Sequence, residues 1–455
     1  MTAAHPGGTG AVTKIGFGRE PRPVPLIDLA TPLLTIDLDA LGHNIDTMAS
    51  WCRAAGVDLA PHGKTTMAPA IWQQQLDAGA WGITIATAFQ AAVAREAGVP
   101  SVIMAGTAFA PHTLAGLAAP GTDVLMWVDS VETVRLVDAA LARGEAARPL
   151  AVLVEIGSPL GRTGARTVAE ALRVVDAVSA APNLVLAGVA GYEGALTHDI
   201  DEAGIALIDD YLRTMLEFLD GIGEPAFAPW IDSGRDVVLT AGGSVYFDRV
   251  VAVLASRHDP AGLQGPRTRV VLRSGSYVAH DHELYRQLTP FARDTMPAGM
   301  SGAAGLSGIS GVPGASGVAG QSGAAADRPS FEPALELWAS VVSRPEPGLA
   351  LLNVGRRDTA DDEGMPVPLD AWRPQAADRR LLGVLDGSHV SALNDQHAFL
   401  RLDDGSALQV GDLVRLGISH PCTTIDKWTE IATVRGGTAR RAVPPVIEGS
   451  IVTRF

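Results

Sequence analysis

The sequence predicts an α/β chain, a (β/α)8 barrel of the TIM type with a second, mostly β domain C-terminal to it. Three observations carry that expectation. Between residues 57 and 273, eight short runs of β-branched and other apolar residues alternate with helical patterns, as in βα units around a parallel sheet. Eight repeats in about 215 residues match a barrel in count and length. Beyond residue 330 the helical period is lost, and Val- and Leu-rich runs broken by Gly and Asp-Gly turns replace it.

Each element follows in chain order. TPLLTIDLDALGHNIDTMASWCRAAG reads as a strand at 32–38 entering an amphipathic helix, with Asp37 or Asp39 as N-cap. That first strand is a candidate to pair with the β domain. The barrel strands are placed at 57–60, 82–86, 101–105, 124–128, 151–156, 185–190, 236–240 and 269–273. Helical segments such as MAPAIWQQQLDAG, TAFQAAVAREAG and SVETVRLVDAALARG lie between them and end in Gly, as a C-cap would. An open doubly wound sheet is the structural alternative, weakened because no G-x-G-x-x-G follows the first strand.

The chain divides into an N-terminal extension, 1–24, a barrel, 25–273, and a β domain, 274–455. The β domain is interrupted at 298–328 by glycines spaced strictly by three, from Gly299 to Gly323. With Pro313 as its one proline, this stretch reads as a flexible surface insertion and not as collagen.

Composition limits the function. The 455 residues are 47% hydrophobic and 19% charged, enough for a large core. No apolar run reaches the ~18 residues of a membrane span. The N-terminus shows neither an apolar signal core nor an Arg-rich amphipathic pattern, so a cytoplasmic protein is expected. The net charge of −15, without acidic blocks, disfavours nucleic acid and anionic membranes as partners. Cys52 and Cys422 are the two cysteines; their separation and different surroundings argue against a disulfide, and Cys52 fits core packing.

Three places carry chemistry. Lys64, in APHGKTTMAP, follows the first barrel strand, where strand ends face a catalytic mouth. Its neighbours Pro61, His62 and Gly63 surround it, and His62 is a second candidate contact to a cofactor. A P-loop is excluded because Asp58 stands where its first glycine would be. A partly desolvated lysine there suits a Schiff base with a carbonyl. After the seventh strand, Gly242, Gly243 and Ser244 lead into a helix and suggest a phosphate cup, with RSGSY after the eighth strand as a second wall. Lysine and cup together suggest pyridoxal 5′-phosphate (PLP). Near the C-terminus, His420 and Cys422 form an H-x-C pair that would share one face of an extended segment and suit a zinc-type ion with open positions.

These motifs, PHGKT, EIGSPLGRTG, the GGS loop and HPC-x3-D-K-W, resemble those of fold-type III PLP enzymes, alanine racemase-like in fold, of the D-serine dehydratase and D-threonine aldolase group. The resemblance, nearest to bacterial amino acid deaminases, covers roughly 25–297 and 330–450. It implies that Lys64 is the Schiff-base lysine and that Arg162 lies near the cofactor's phenolic oxygen. It implies too that Gly242, Gly243 and Ser244 hold the phosphate and that His420 and Cys422 bind Zn2+ or another divalent cation. Tyr192, in GYEG, stands where better-known members have histidine, beside the pyridine ring or the substrate. The implied activity is PLP- and metal-dependent dehydration of a β-hydroxy D-amino acid, such as D-serine or D-threonine, to a 2-oxo acid and ammonia by a homodimer. Retro-aldol cleavage is the alternative on the same scaffold, and a non-catalytic PLP carrier is the alternative of another class. A soft thiolate at Cys422, where the aldolases tend to have aspartate, favours zinc and dehydration.

Overall fold

A computed structural model describes residues 23–159, 161–263, 265–293, 328–374, 381–436 and 444–455. Most of the N-terminal extension and of the glycine-triplet stretch lies outside the described residues. Eight parallel strands form the first sheet: Asp58–Leu59, Ile83–Ile85, Ser101–Met104, Asp123–Val128, Leu150–Glu155, Leu184–Ala190, Val237–Ala241 and Thr268–Leu272. The last pairs with the first through Val271 and Leu272 opposite Asp58 and Leu59. The seam between the first two strands is thin. It is closed by one parallel bridge, His62 to Thr84, by the Trp81 and Thr84 amides donating to the Leu59 and Pro61 carbonyls at 2.7 and 2.9 Å, and by the Thr84 hydroxyl donating to the Ala60 carbonyl at 2.7 Å. The barrel is therefore joined at its lightest point beside the lysine motif.

Two layers of core result from strand alternation. Ala60, Ile103, Leu125, Trp127, Leu153, Ala187, Val238 and Val271 fill the barrel interior, with Trp230 added from a short helix. The opposite strand faces pack on the surrounding helices within the main core. Those helices begin where short polar side chains accept the first free amides: Asp37 for Leu38–Ala55, Thr87 for Ala88–Glu96, Ser130 for Val131–Arg143, Thr167 for Val168–Ala180 and Asp201 for Glu202–Gly221. Gly56, at φ +64°, ends the first helix in the left-handed conformation that a Cβ would oppose.

The strand Leu33–Asp37 does not join the barrel. It runs antiparallel to Leu335–Glu346 and parallel to Glu430–Val434, inside the β domain's sheet. One segment thus enters the second domain before the barrel starts, and Asp37 ends that strand while capping the barrel's first helix. Asn44, on that helix, extends the tie: its amide donates to the Val278 and Glu332 carbonyls and its oxygen accepts the Glu332 amide at 2.7 Å. The β domain centres on Leu335–Glu346, which also pairs with Leu413–Gly417 and Leu349–Leu352. A buried Arg415 bridges Glu336 and Asp370, each at 2.6 Å, and lies over the ring of Trp372, which packs at a tilt against Trp338.

Candidate active site

The C-terminal ends of the barrel strands and several β-domain segments, among them Leu284–Leu288, Glu363, the turn at His420 and Phe455, enclose a cavity of about 540 Å3. All nine residues singled out in the sequence reach it: His62, Lys64, Arg162, Tyr192, Gly242, Gly243, Ser244, His420 and Cys422. Lys64 stands on a 3-10 turn, Gly63–Thr65, just past the first strand, with its side chain exposed to the cavity. Gly63 is required there by close approach, since a Cβ would lie 2.8 Å from Trp72 and Ile83. Beside it, burial, followed by the charges of Lys64, Arg273 and Arg162, pushes the His62 imidazole well below its usual range. His62 is thus held neutral, and its buried Nδ1 has no partner among the described residues.

The loop after the fifth strand carries Arg162, whose guanidinium lies 5.3 Å from the centre of the Tyr192 ring. Tyr192 is fixed through its amide, which donates to the Tyr211 hydroxyl at 2.9 Å. Its ring borders the glycine loop, where a Cβ on Gly243 would come within 3.1 Å of it. Burial raises the Tyr192 phenol, so it stays protonated.

The glycine loop differs from its expected form. Gly242, at φ +105°, turns the chain, but the helix begins only at Phe247. The Gly242 and Gly243 amides are engaged by a side chain of the protein: Glu193 accepts them at 3.0 Å and 2.5 Å. The phosphate cup expected at Gly242, Gly243 and Ser244 thus has two of its three amides bonded to a carboxylate of the chain in this structure. By contrast, the amides of Ser244, Gly275 and Ser276 meet no protein acceptor among the described residues. Gly275 also packs against the lysine motif, where a Cβ would lie 2.5 Å from the His62 carbonyl oxygen.

His420 and Cys422 do not share an extended segment. His420 is extended, but Pro421 opens a short helix, Pro421–Ile425, that places Cys422 in its first turn. Cys422 Sγ lies 3.3 Å from Thr65 Oγ1 and 3.6 Å from Ser276 Oγ, so the two domains meet next to Lys64. Burial works against charge on both groups. The His420 imidazole nevertheless rises to about 9, and the Cys422 thiol falls, because each favours the charged form of the other. Asp362 accepts from His420 Nδ1 at 2.9 Å and orients the ring, leaving Nε2 for other contacts. Sequence reasoning missed Asp362, Glu193 and Arg273. The last residue was within reach, since it stands at the end of the eighth strand, at the same address as Lys64. Buried there, it donates to Thr240 Oγ1 and to the Gly191 carbonyl and stacks on Trp127, 4.8 Å from the ring centre.

Residues 36–227 match the family model "Alanine racemase, N-terminal domain", and residues 334–434 match "Putative serine dehydratase domain". The chain belongs to the fold-type III PLP enzymes. It is 25% identical to a 3-hydroxy-D-aspartate aldolase of Paracoccus denitrificans, over 93% of each chain. Over 142 residues it is 36% identical to a D-threo-3-hydroxyaspartate dehydratase of Delftia sp., covering 30% of this chain and 37% of that one. The solved structure of a D-threonine aldolase from Filomicrobium marinum aligns with a TM-score of 0.70 and 27% identity, over 95% of this chain and 97% of that one. The cavity of this fold-type III enzyme fits the family's cofactor. It offers an amine on Lys64, a buried cation on Arg273 and an exposed one on Arg162, amides at Ser244, Gly275 and Ser276 that are unpaired among the described residues, and a volume within the range of small-molecule sites.

Proposed function

We propose that this protein is a PLP- and divalent-metal-dependent lyase acting on β-hydroxy D-amino acids, with dehydration to a 2-oxo acid and ammonia as its reaction. One observation carries the reading: Lys64 on the barrel rim and the His420–Cys422 pair of the β domain face the same cavity, joined by the Thr65–Cys422 contact. PLP, when bound, supplies the carbonyl that captures an amine and the ring that spreads the negative charge left at Cα. Lys64 would hold it covalently and then, as a free amine, take the proton from substrate Cα. Ser244, Gly275 and Ser276 would hold its phosphate, Arg162 and Tyr192 would flank its ring, and neutral His62 would border the lysine side. At Cβ, a thiolate and an imidazole oriented by Asp362 suit a zinc-type ion, whose Lewis acidity makes hydroxide a better leaving group. Among the described residues no third His, Cys, Asp or Glu joins the pair. Open positions would then remain for the substrate oxygen.

Retro-aldol cleavage is the second reading, favoured by the 27% identical D-threonine aldolase structure. Products separate the two. Purified protein given D-serine or D-threonine should release pyruvate or 2-oxobutyrate with ammonia; glycine with an aldehyde would establish the aldolase instead. A chelator or Cys422→Ala should cut turnover by about 100-fold or more while the coenzyme's visible absorbance persists. Turnover indifferent to both would remove the metal from the mechanism.

A further inference from the structure

Glu193 has no solvent exposure and sits directly behind the glycine loop. Its Oε2 accepts the Gly242 amide and its Oε1 the Gly243 amide. Two adjacent N–H groups converging on one carboxylate make an anion cradle, and its anion belongs to the chain. The segment that presents Glu193 is itself anchored. The Gly191 amide donates to the Thr240 carbonyl at 3.0 Å, and the Gly191 carbonyl accepts from Arg273. The Tyr192 amide donates to the Tyr211 hydroxyl, which donates to the Ile156 carbonyl at 2.7 Å. Glu193 is thus held from both sides. Arg273, buried at the same strand ends, is held below the usual guanidinium range by its burial, an effect that the Glu193 carboxylate opposes.

The loop held in this way has consequences on its far side. With both amides turned towards Glu193, the Gly243 carbonyl faces the loop after the eighth strand and accepts the Ser274 hydroxyl at 3.0 Å. That bond links the two walls on which Ser244, Gly275 and Ser276 stand. We propose that Glu193 is a positioning residue for the cofactor's phosphate: a built-in anion that fixes the glycine loop and, through Ser274, sets the spacing of the walls that receive the phosphate. Carboxylate chemistry is what the site requires, since both facing groups are donors. A glutamine would set its NH2 against one of them, leaving buried donors unmatched.

This inference rests on the PLP reading, and its test separates the two. The full chain, freed of coenzyme by dialysis, is titrated with PLP and with pyridoxal, which lacks the phosphate, following Trp fluorescence and visible absorbance in wild type, Glu193→Gln and Glu193→Ala. PLP affinity should fall about 10- to 100-fold in both variants, while pyridoxal affinity changes less than about 2-fold. Should the alanine variant fail to fold, the near-isosteric glutamine variant decides. PLP binding as tight as wild type or tighter would show that Glu193 gives the phosphate no support or competes with it, and would overturn the proposal. Equal losses for PLP and pyridoxal would do the same, since they would mark a general structural role. A wild type that binds neither ligand overturns both readings; a wild type that binds PLP alongside an unaffected glutamine variant overturns only this one.

Discussion

The barrel and the β domain build their halves of the cavity in opposite ways. On the barrel side, functional side chains stand at the ends of parallel strands, each placed by its own βα unit. Lys64, Tyr192 and Arg273 come from just past three strand ends, and Arg162 comes from the longer loop after a fourth; all four line the cavity. On the β-domain side the His420–Cys422 pair stands on one short turn whose geometry depends on distant chain: Asp362 orients His420 from 58 residues away, while Thr65 of the barrel and Ser276, just past its last strand, contact Cys422. The barrel half is local and repeated; the other half exists only once the domains dock. The proposed cofactor and metal sites, with such different dependences, should be separable by mutation.

The strongest test removes the barrel half. Lys64→Ala should abolish the visible absorbance of the bound coenzyme and lower turnover by more than about 1,000-fold, because it deletes both the covalent link and the proposed base. Coenzyme absorbance unchanged in that variant would break the comparison at its base. A second test strikes the β domain far from the cavity. Arg415→Met leaves Glu336 and Asp370 buried without their cation and should cost about 3–5 kcal/mol in denaturant unfolding. Coenzyme absorbance should survive at denaturant concentrations where wild type is fully folded. Its early loss would show that the halves are not separable.

Smaller effects sharpen the boundary. In Gly275→Ala the new Cβ would press on the His62 backbone, so the wall that faces the lysine must shift. PLP affinity should weaken by about 1–3 kcal/mol, read by titration, with little change in the metal content of the purified protein. Deletion of 299–325 should change neither. The chain on its two sides already meets, with Arg328 donating to the Arg293 carbonyl at 3.5 Å, so a short linker can close the gap.

Much of the barrel was legible because its signal is periodic. Strand runs such as 101–105 and 124–128 appear as Ser101–Met104 and Asp123–Val128, and the address of Lys64 follows from its place after a strand. The glycine loop shows where pattern stops being sufficient. Gly242 and Gly243 mark a turn in any reading, but which way their amides face depends on Glu193, a residue from the neighbouring strand end. Nothing in GYEG distinguishes that buried glutamate from an exposed one. His420 and Cys422 were legible as a pair, yet their disposition was not, since Pro421 begins a helix between them.

The sequence by itself determined the alternation that forms the barrel, the strand-end lysine and the H-x-C pair, because period, capping and spacing act over a few neighbouring residues. Tertiary structure alone decided the register and neighbours of Leu33–Asp37 in the β-domain sheet, that Asp362 orients His420, and that Glu193 takes the amides of the glycine loop. Each of those depends on hydrogen bonds between residues tens to hundreds of positions apart, and such bonds leave no periodic trace in the chain.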